Sequence, residues 1–170
     1  WQGNRDPYAV WVSEIMLQQT QVATVLERYP RFMKRFPTVK KLAAADIDEV
    51  LAEWAGLGYY SRARNLHACS KQVMTKFGGK FPSDPLLLEQ LKGIGRSTAG
   101  AIAAFAFHER APILDANVKR ILARLFAIEG AVQEKAVNDR LWALATDLLP
   151  SKPGLRCYLV YITQASMFRF

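Results

Sequence analysis

Apolar residues recur along most of this chain at spacings of three and four, the repeat that predicts amphipathic α-helices. No segment shows the alternation of apolar and polar positions between turn residues that predicts a half-buried strand. Prolines, glycines and capping residues divide the helical pattern into short segments. The pattern therefore predicts an all-α fold of about nine or ten short helices.

Capping signals place the start and end of each predicted helix. Asp6-Pro7 opens the first helix, because aspartate caps a helix and proline is tolerated in its first turn. Pro30 is expected to end the second helix, since proline cannot donate a helical hydrogen bond. Asp46 and Glu49 have capping-box spacing at the start of the fourth. The predicted helices cover 7–19, 21–29, 38–45, 46–56, 61–77, 84–91, 98–107, 117–127 and 134–148.

Composition and charge narrow the classes of function. Of the 170 residues, 51% are hydrophobic and 22% are charged, which excludes disordered and low-complexity chains. The formal net charge of +8 favours nucleic acid as the partner, with ribosomal and membrane-surface proteins as alternatives. The longest apolar run, residues 99–107, is too short to span a bilayer, and no signal peptide is visible. We therefore expect no membrane partner.

Cysteine and histidine usage argues against a metal site in this chain. Cys69 and Cys157 are too few for a disulfide framework or a four-cysteine metal site. His67 and His108 have no partner ligands at suitable spacing. The sequence therefore predicts no bound metal and a reducing compartment.

Glu14 is the first candidate catalytic residue. On a helix it shares a face with Val10, Trp11 and Leu17. Contact with these apolar side chains would exclude water from the carboxyl group and raise its pKa, as a general acid near neutral pH requires. The alternative is a surface glutamate at the rim of an apolar face.

Two groups of side chains have the chemistry to read or enter a base stack. Gln18 and Gln19 close the first helix, where amides can read base edges by paired hydrogen bonds or can simply be solvated. Tyr59 follows a glycine break and can wedge between bases, while Arg62 and Arg64 can hold phosphates. The alternative for this second group is that Tyr59 and its neighbour Tyr60 are core residues beside a basic helix face.

The segment Gly93-Ile94-Gly95 predicts a tight turn between two helices. Glycine amides can approach a phosphate closely, and the helix that follows adds the positive end of its dipole. Arg96 adds a positive charge at the same place. The segment is therefore suited to a sequence-independent contact with a DNA backbone, the alternative being a plain helix–helix turn.

Asp115 is the second candidate catalytic carboxylate. It directly precedes a helix, whose N-terminus would stabilise the ionised form. Asn117 is expected to cap that helix and leave Asp115 free, whereas the alternative makes Asp115 an ordinary cap. Lys119 and Arg120 form a basic edge on the same helix, which is a solvated face unless it borders a groove.

Glu14 and Asp115 are the informative pair of residues. They lie in opposite halves of the chain, with a break expected at 108–112, so they can meet only across a cleft. A neutral carboxylic acid and an ionised carboxylate together suit cleavage of a glycosidic bond through an oxocarbenium-like transition state. In a basic cleft, the sugar would belong to a nucleic acid.

These four segments, in this order and near these spacings, resemble the helix-hairpin-helix DNA glycosylase superfamily and, within it, the adenine-specific glycosylases. The likeness is strongest over 12–25 and 56–67 and covers most of the chain. It implies a two-lobe all-α fold, with a six-helix barrel lobe carrying the hairpin in 1–110 and a partial second helical lobe in 111–170. The implied activity is base-excision repair, in which the N-glycosidic bond of adenine opposite 8-oxoguanine or guanine is hydrolysed in double-stranded DNA.

The resemblance also implies a role for each candidate residue. Glu14 would protonate the adenine leaving group and assist the attacking water, Asp115 would stabilise the oxocarbenium ion, and Asn117 would help to position the sugar or the aspartate. Residues implied to probe the opposite base or line the adenine pocket are Trp1, Leu17, Gln18, Gln19, Val22 and Tyr59. Residues implied to hold the DNA backbone are Gly93, Ile94, Gly95, Arg96, Lys119 and Arg120.

Ser97 and the cysteines separate this chain from other members of the superfamily. Relatives that resemble endonuclease III carry a lysine nucleophile at the position of Ser97, where an amine forms a Schiff base with the sugar. Serine cannot form an iminium, so the resemblance implies a monofunctional glycosylase. Full-length members carry a [4Fe-4S] cluster on a loop that lies beyond the equivalent of residue 170. We therefore expect neither that cluster nor the C-terminal domain that recognises 8-oxoguanine in this chain.

The resemblance further implies a monomer that acts on DNA in the cytoplasm of a bacterium, at the nucleoid. Two other hypotheses remain. The first is another base-excising enzyme of the superfamily, against which Ser97 and the motif around Glu14 argue. The second is a catalytically impaired DNA-binding fragment, against which the presence of both Glu14 and Asp115 argues.

Overall fold

The computed structural model describes residues 6–149, which are helical and contain no strand. This part of the chain forms nine helices: α1 (Pro7–Leu17), α2 (Val22–Arg35), α3 (Val39–Ala44), α4 (Ile47–Glu53), α5 (Ser61–Phe77), α6 (Pro85–Glu89), α7 (Arg96–Phe107), α8 (Ala116–Leu125) and α9 (Lys135–Asp147). The predicted all-α class is confirmed. Trp1 and residues 150–170, with Cys157, lie outside the described residues.

Capping side chains fix the start of five helices. In each case an oxygen of the residue before the helix accepts a backbone N–H of the first turn, which stabilises the helix by about 1 kcal/mol. The capping residues are Asp6, Thr38, Asp46, Asp84 and Asp115. At α4 Asp46 caps the helix through the N–H of Asp48, not through that of Glu49 as in a capping box, and the Glu49 carboxylate pairs with Arg35 of α2.

Helix α2 continues through Pro30, so the prediction that it ends before this residue is wrong. Proline leaves the carbonyl group of Leu26 without its helical donor, but Leu26 is exposed and water can bind there. Beyond the proline, Phe32 and Phe36 are buried, and Phe32 packs edge-on against Trp54. Burying each phenylalanine contributes about 1.5–3 kcal/mol, which offsets the cost of about 3 kcal/mol for an internal proline.

Two main hydrophobic clusters hold the described residues together. The first cluster surrounds α1, which packs against α2, α5 and α7, and it buries Trp11, Trp54 and Ile102 completely. The second cluster lies between α8 and α9. It consists of Leu114, Val118, Leu122, Leu141, Trp142 and Ala145. Helix α7 also packs against Ile113 and Leu149 through its alanines, so it borders both halves of the chain.

The segment between α7 and α8 lies against α7 because Gly100 has no side chain. A Cβ added at Gly100 would lie 2.3 Å from the carbonyl oxygen of Pro112, which no real contact allows. This close approach fixes the path of the chain three residues before Asp115. Among the described residues, no helix is long and apolar enough to cross a bilayer.

Candidate active site

Glu14 lies near the middle of α1 and is half-buried. Its helical neighbours Val10 and Trp11 are buried, and Leu17 is half-buried. Burial, and secondarily the negative charge of Asp115, raise the pKa of Glu14 from 4.5 to about 7. The predicted rise is confirmed. A carboxyl group with this pKa holds a proton at neutral pH and can also release it, as a general acid and base must.

Asp115 is the N-cap of α8, and its Oδ1 accepts the N–H of Val118 at 2.8 Å. The prediction that Asn117 caps this helix is wrong, because α8 begins at Ala116 and only the residue before a helix can cap it. Asn117 is exposed, and its Oδ1 accepts a hydrogen bond from Arg120 at 3.1 Å. Although the carboxylate of Asp115 caps α8, it lies near enough to Glu14 to raise the pKa of Glu14.

Ser97 lies in the first turn of α7 and contacts the segment that carries Asp115. Its Oγ accepts the N–H of Leu114 at 3.1 Å. Next to it, Thr98 accepts a hydrogen bond from Nε2 of Gln18 at 3.2 Å. The first turn of α7 therefore contacts both the end of α1 and the residue before Asp115. No local pattern signals this contact of Thr98, because the bond joins residues that are distant in the chain.

The turn at residues 93–95 has the geometry of an exposed backbone site. Gly93 has a φ of +79°, and a Cβ added there would lie 2.7 Å from the Cβ of Asn65. Ile94 is buried in the first cluster and anchors the turn. Gly95 precedes α7, where no described side chain caps the helix and an added Cβ would meet no atom within 4 Å. A phosphate could therefore approach these amides and the helix N-terminus without obstruction.

The predicted DNA-contacting cations each have a partner within the chain. The guanidinium of Arg96 lies 4.0 Å from the centroid of the Trp142 ring. Nζ of Lys119 donates to Oδ1 of Asn138 at 2.7 Å. Lys119 and Arg120 line a groove of about 840 Å³. Leu114 and Ala116, on either side of Asp115 in the sequence, line the same groove, so the basic edge does border a groove.

Tyr59 projects from the loop before α5 and is 60% exposed. Its φ of +47° is in the left-handed region, which is uncommon for a residue with a large side chain. Tyr60 is 42% exposed, so the alternative that this pair belongs to the core is wrong. Gln19 is exposed, and Val22, the first residue of α2, is 53% exposed. These side chains are therefore available to a partner.

Arg62 is buried, so the prediction that it contacts phosphate is wrong. Its guanidinium donates hydrogen bonds to backbone carbonyl oxygens at the end of α1 and in the loop before α5, those of Ile15, Met16, Gln18, Leu57 and Gly58. It lies 5.6 Å from the centroid of the Tyr59 ring. Arg62 therefore joins the helix that carries Glu14 to the loop that carries Tyr59. Its helical spacing with Leu66, on the core face of α5, was a signal for its burial.

The residues of this chain do not fit an iron–sulfur cluster. A [4Fe-4S] cluster is held by four thiolates, and the sequence contains two cysteines. Cys69 is fully buried in the first cluster, and burial raises the pKa of its thiol to about 12, which disfavours the thiolate. Within residues 6–149, no group of three or more potential ligands could hold a metal ion.

Curated relatives of this chain are adenine DNA glycosylases. The chain is 48% identical to the adenine DNA glycosylase of Homo sapiens over 89% of its own length. It is 45% identical to that of Buchnera aphidicola subsp. Baizongia pistaciae over 88% of its length. It spans 28% of the human protein and 42% of the Buchnera protein.

Solved structures that match this fold include a thymine-DNA glycosylase and an endonuclease III bound to DNA. A thermostable thymine-DNA glycosylase matches with a TM-score of 0.86 and 26% identity, over 98% of this chain and 77% of that one. A trapped endonuclease III–DNA covalent intermediate matches with a TM-score of 0.71 and 22% identity, over 84% of this chain and 71% of that one, which shows the fold alone. Residues 12–146 match the HhH-GPD superfamily of base excision DNA repair proteins. The chain therefore belongs to the HhH-GPD superfamily.

Proposed function

We propose that this chain is the catalytic part of a DNA glycosylase that hydrolyses the N-glycosidic bond of adenine opposite 8-oxoguanine or guanine. The observation that carries the proposal is the pairing of Glu14, whose pKa is about 7, with the carboxylate of Asp115. A carboxylic acid of this kind can protonate a poor leaving group on a sugar, and a neighbouring carboxylate can stabilise the positive charge that develops as the group departs. The naming of the relatives supports adenine as the base.

Glu14 starts the reaction by donating its proton to the adenine. The bond between the base and the anomeric carbon then breaks, and its electron pair leaves with the protonated adenine. The sugar becomes an oxocarbenium ion, which the negative charge of Asp115 stabilises. The cap bond from Val118 holds one oxygen of Asp115 in place, so the charge is positioned before the reaction begins.

Glu14 then completes the hydrolysis in its ionised form. Its carboxylate accepts a proton from the water that attacks the anomeric carbon, and the new C–O bond forms as that proton moves. The products are free adenine and an abasic site, and Glu14 is again protonated. Ser97 has no amine to attack the sugar, so hydrolysis by water is the step proposed here.

Five groups of residues would hold the DNA around Glu14 and Asp115. Gly93 and Gly95 offer backbone amides to a phosphate, and Lys119 and Arg120 line the groove beside Asp115. Tyr59, exposed on its loop, would enter the base stack as the adenine leaves it. The adenine pocket would be formed by Leu17, Val22 and Trp1, of which Trp1 lies outside the described residues. Gln18 and Gln19 would contact the opposite base.

The proposal extends to the organisation and setting of the protein. Residues 1–110 would form the barrel lobe with the hairpin, and residues 111–170 would belong to a second lobe. The partner is double-stranded DNA containing an adenine mispair, bound by a monomer. We place this activity with the nucleoid in the bacterial cytoplasm. Cations facing the DNA predict that binding weakens steeply with added salt.

Identification of the released base tests the proposal. The chain is incubated with four duplexes: adenine opposite 8-oxoguanine, adenine opposite guanine, adenine opposite thymine, and thymine opposite guanine. Mass spectrometry of the supernatant then detects the free base. Release of adenine from the first two duplexes alone is expected. Release of thymine, or release of adenine from every duplex at one rate, would contradict the substrate proposed here.

A further inference from the structure

Arg96 and Ser97 directly follow the turn at residues 93–95, and each contacts a residue of the second hydrophobic cluster, which includes Leu114 beside Asp115. The Ser97 hydroxyl accepts the N–H of Leu114 at 3.1 Å. The Arg96 guanidinium lies 4.0 Å from the centroid of the Trp142 ring. Leu114 and Trp142 both belong to the second cluster, so two adjacent residues of α7 contact two residues of one hydrophobic core.

Each of these two contacts provides an interaction partner for a buried group of the second cluster. Leu114 is 3% exposed, and a buried backbone N–H needs an acceptor. Trp142 is 9% exposed, and the guanidinium covers a face of its ring in a cation–π contact. Both side chains of α7 therefore have a defined position in the absence of DNA.

Gly100, one turn further along α7, completes the arrangement. Its missing Cβ allows the carbonyl of Pro112 to approach the helix, where a Cβ would lie 2.3 Å from that oxygen. Positions 96, 97 and 100 are neighbours on one face of a helix. This face of α7 therefore packs against the segment that leads to Asp115. The turn at residues 93–95 lies at the start of the same helix.

We propose that Arg96 and Ser97 form a latch, a pair of positioning residues that hold Asp115 opposite Glu14 and connect it to the turn at residues 93–95. The latch rests on the proposed function, because it assigns a role within the same site. It makes the DNA-contacting turn and the catalytic aspartate parts of one rigid element. Arg96 then acts through Trp142, in addition to any contact with phosphate.

The test of the latch measures the position of Asp115 without any reaction. Burial is the larger cause of the raised pKa of Glu14 and the charge of Asp115 is the second, so a displacement of Asp115 from Glu14 should lower that pKa toward its value without the charge. Carbon-detected NMR titration of this carboxyl is made on the free chain, on Ser97→Ala and on Arg96→Met. Asp115→Asn gives the pKa of Glu14 when the charge of Asp115 has been removed. Arg140→Met, which changes an exposed arginine of α9, is the matched control.

The latch predicts that the pKa of Glu14 falls in Ser97→Ala and Arg96→Met, part of the way to its value in Asp115→Asn. The control should match the parent. Both variants should also lose roughly tenfold in single-turnover rate at saturating enzyme, because a small displacement of a positioned group is costly, and Ser97→Ala should bind DNA as the parent does. An unchanged pKa of Glu14 in both variants would overturn the latch. Weaker DNA binding by Arg96→Met with that pKa unchanged would show a phosphate contact only.

Two further points keep this test decisive. Ser97→Ala removes one oxygen at a half-buried position, so its titration is interpretable even where a larger change such as Trp142→Leu prevents folding. The titration needs no substrate. If the parent released no adenine, the proposed function would be wrong, but the latch could still be tested by titration. If the parent released adenine and the pKa of Glu14 were unchanged in both variants, the latch would be wrong and the proposed function would stand.

Discussion

The carboxyl groups of Glu14, in the middle of α1, and Asp115, at the N-terminus of α8, lie close enough for the charge of Asp115 to raise the pKa of Glu14. Helix α7 brings them together, because it packs against α1 and binds the N–H of Leu114 through Ser97. Burial adds the larger share of the rise at Glu14. At neutral pH the carboxyl group of Glu14 therefore holds a proton, while the neighbouring carboxyl group of Asp115 is exposed and caps α8.

The single-turnover rate of adenine release should depend on pH through Glu14. Only the protonated carboxyl can donate, so the rate should be constant below a pH of about 7 and fall as the pH rises above it. The measurement is a series of single-turnover rates between about pH 5 and 9. A rate that stays constant up to the alkaline end of the series would show that Glu14 does not act as the acid.

Glu14→Gln should stabilise the folded chain at alkaline pH. The pKa of Glu14 is about 7 in the folded state against 4.5 for an ordinary glutamate, so the folded state binds this proton more tightly. The resulting stability is fully present below pH 4.5 and is lost as the pH rises through 7. Glutamine mimics the protonated form at every pH. Urea unfolding should therefore show a gain of up to about 3 kcal/mol at alkaline pH and little gain in acid.

Val12→Ala is the comparison for this stability measurement, because it changes the same helix on a face away from Glu14 and removes no titrating group. Its effect on the free energy of unfolding should not vary with pH. A gain from Glu14→Gln that was the same in acid and alkali would contradict the raised pKa.

Arg62 and Arg64 offer a matched pair on one helix. Arg62→Met would remove the donor of the carbonyl oxygens of Ile15 and Met16, and each buried unpaired group costs about 1–3 kcal/mol. The other three oxygens also accept from Thr20 or Trp54. We expect a loss of about 3 kcal/mol or more in the free energy of unfolding. Arg64 is exposed, so Arg64→Met should change stability by less than about 0.5 kcal/mol. Equal stability of the two variants would disprove the structural role of Arg62.

Borohydride trapping should yield no covalent protein–DNA adduct with the parent chain. Reduction traps an imine between an amine and the opened sugar, and the hydroxyl of Ser97 cannot form one. The readout is a shifted band on a denaturing gel, with a bifunctional glycosylase as the positive control. An efficient adduct would mean that a lysine elsewhere in the chain attacks the sugar, and the monofunctional mechanism would be wrong.

Local sequence signals predicted most of the fold, because they report interactions within a few residues. Helix α5 begins and ends where predicted, with Gly78 in the left-handed conformation after it. The raised pKa of Glu14 followed from the apolar residues one turn away on α1. The turn at Gly93 and Gly95 followed from the conformational freedom of glycine.

Tertiary contacts account for the predictions that were wrong. Helix α2 passes through Pro30 because Phe32 and Phe36 find a core beyond it, which no signal at the proline reports. Asp115, not Asn117, caps α8, because this helix begins at Ala116, two residues before the start that a cap at Asn117 implies. Arg62 is buried because carbonyl groups of α1 and the loop before α5 converge on it, and their convergence is visible only in three dimensions.

The central claim is that Glu14 and Asp115 together break the glycosidic bond, and single-turnover release of adenine opposite 8-oxoguanine tests it most directly. Parent, Glu14→Gln and Asp115→Asn are compared, with duplex affinity measured for each. Asparagine caps a helix as well as aspartate does, so Asp115→Asn removes the charge and keeps α8 intact. We predict release by the parent and a loss of about 100-fold or more in each variant, with DNA affinity little changed. Release at the parent rate by either variant, or duplex binding without release by the parent, would contradict the claim.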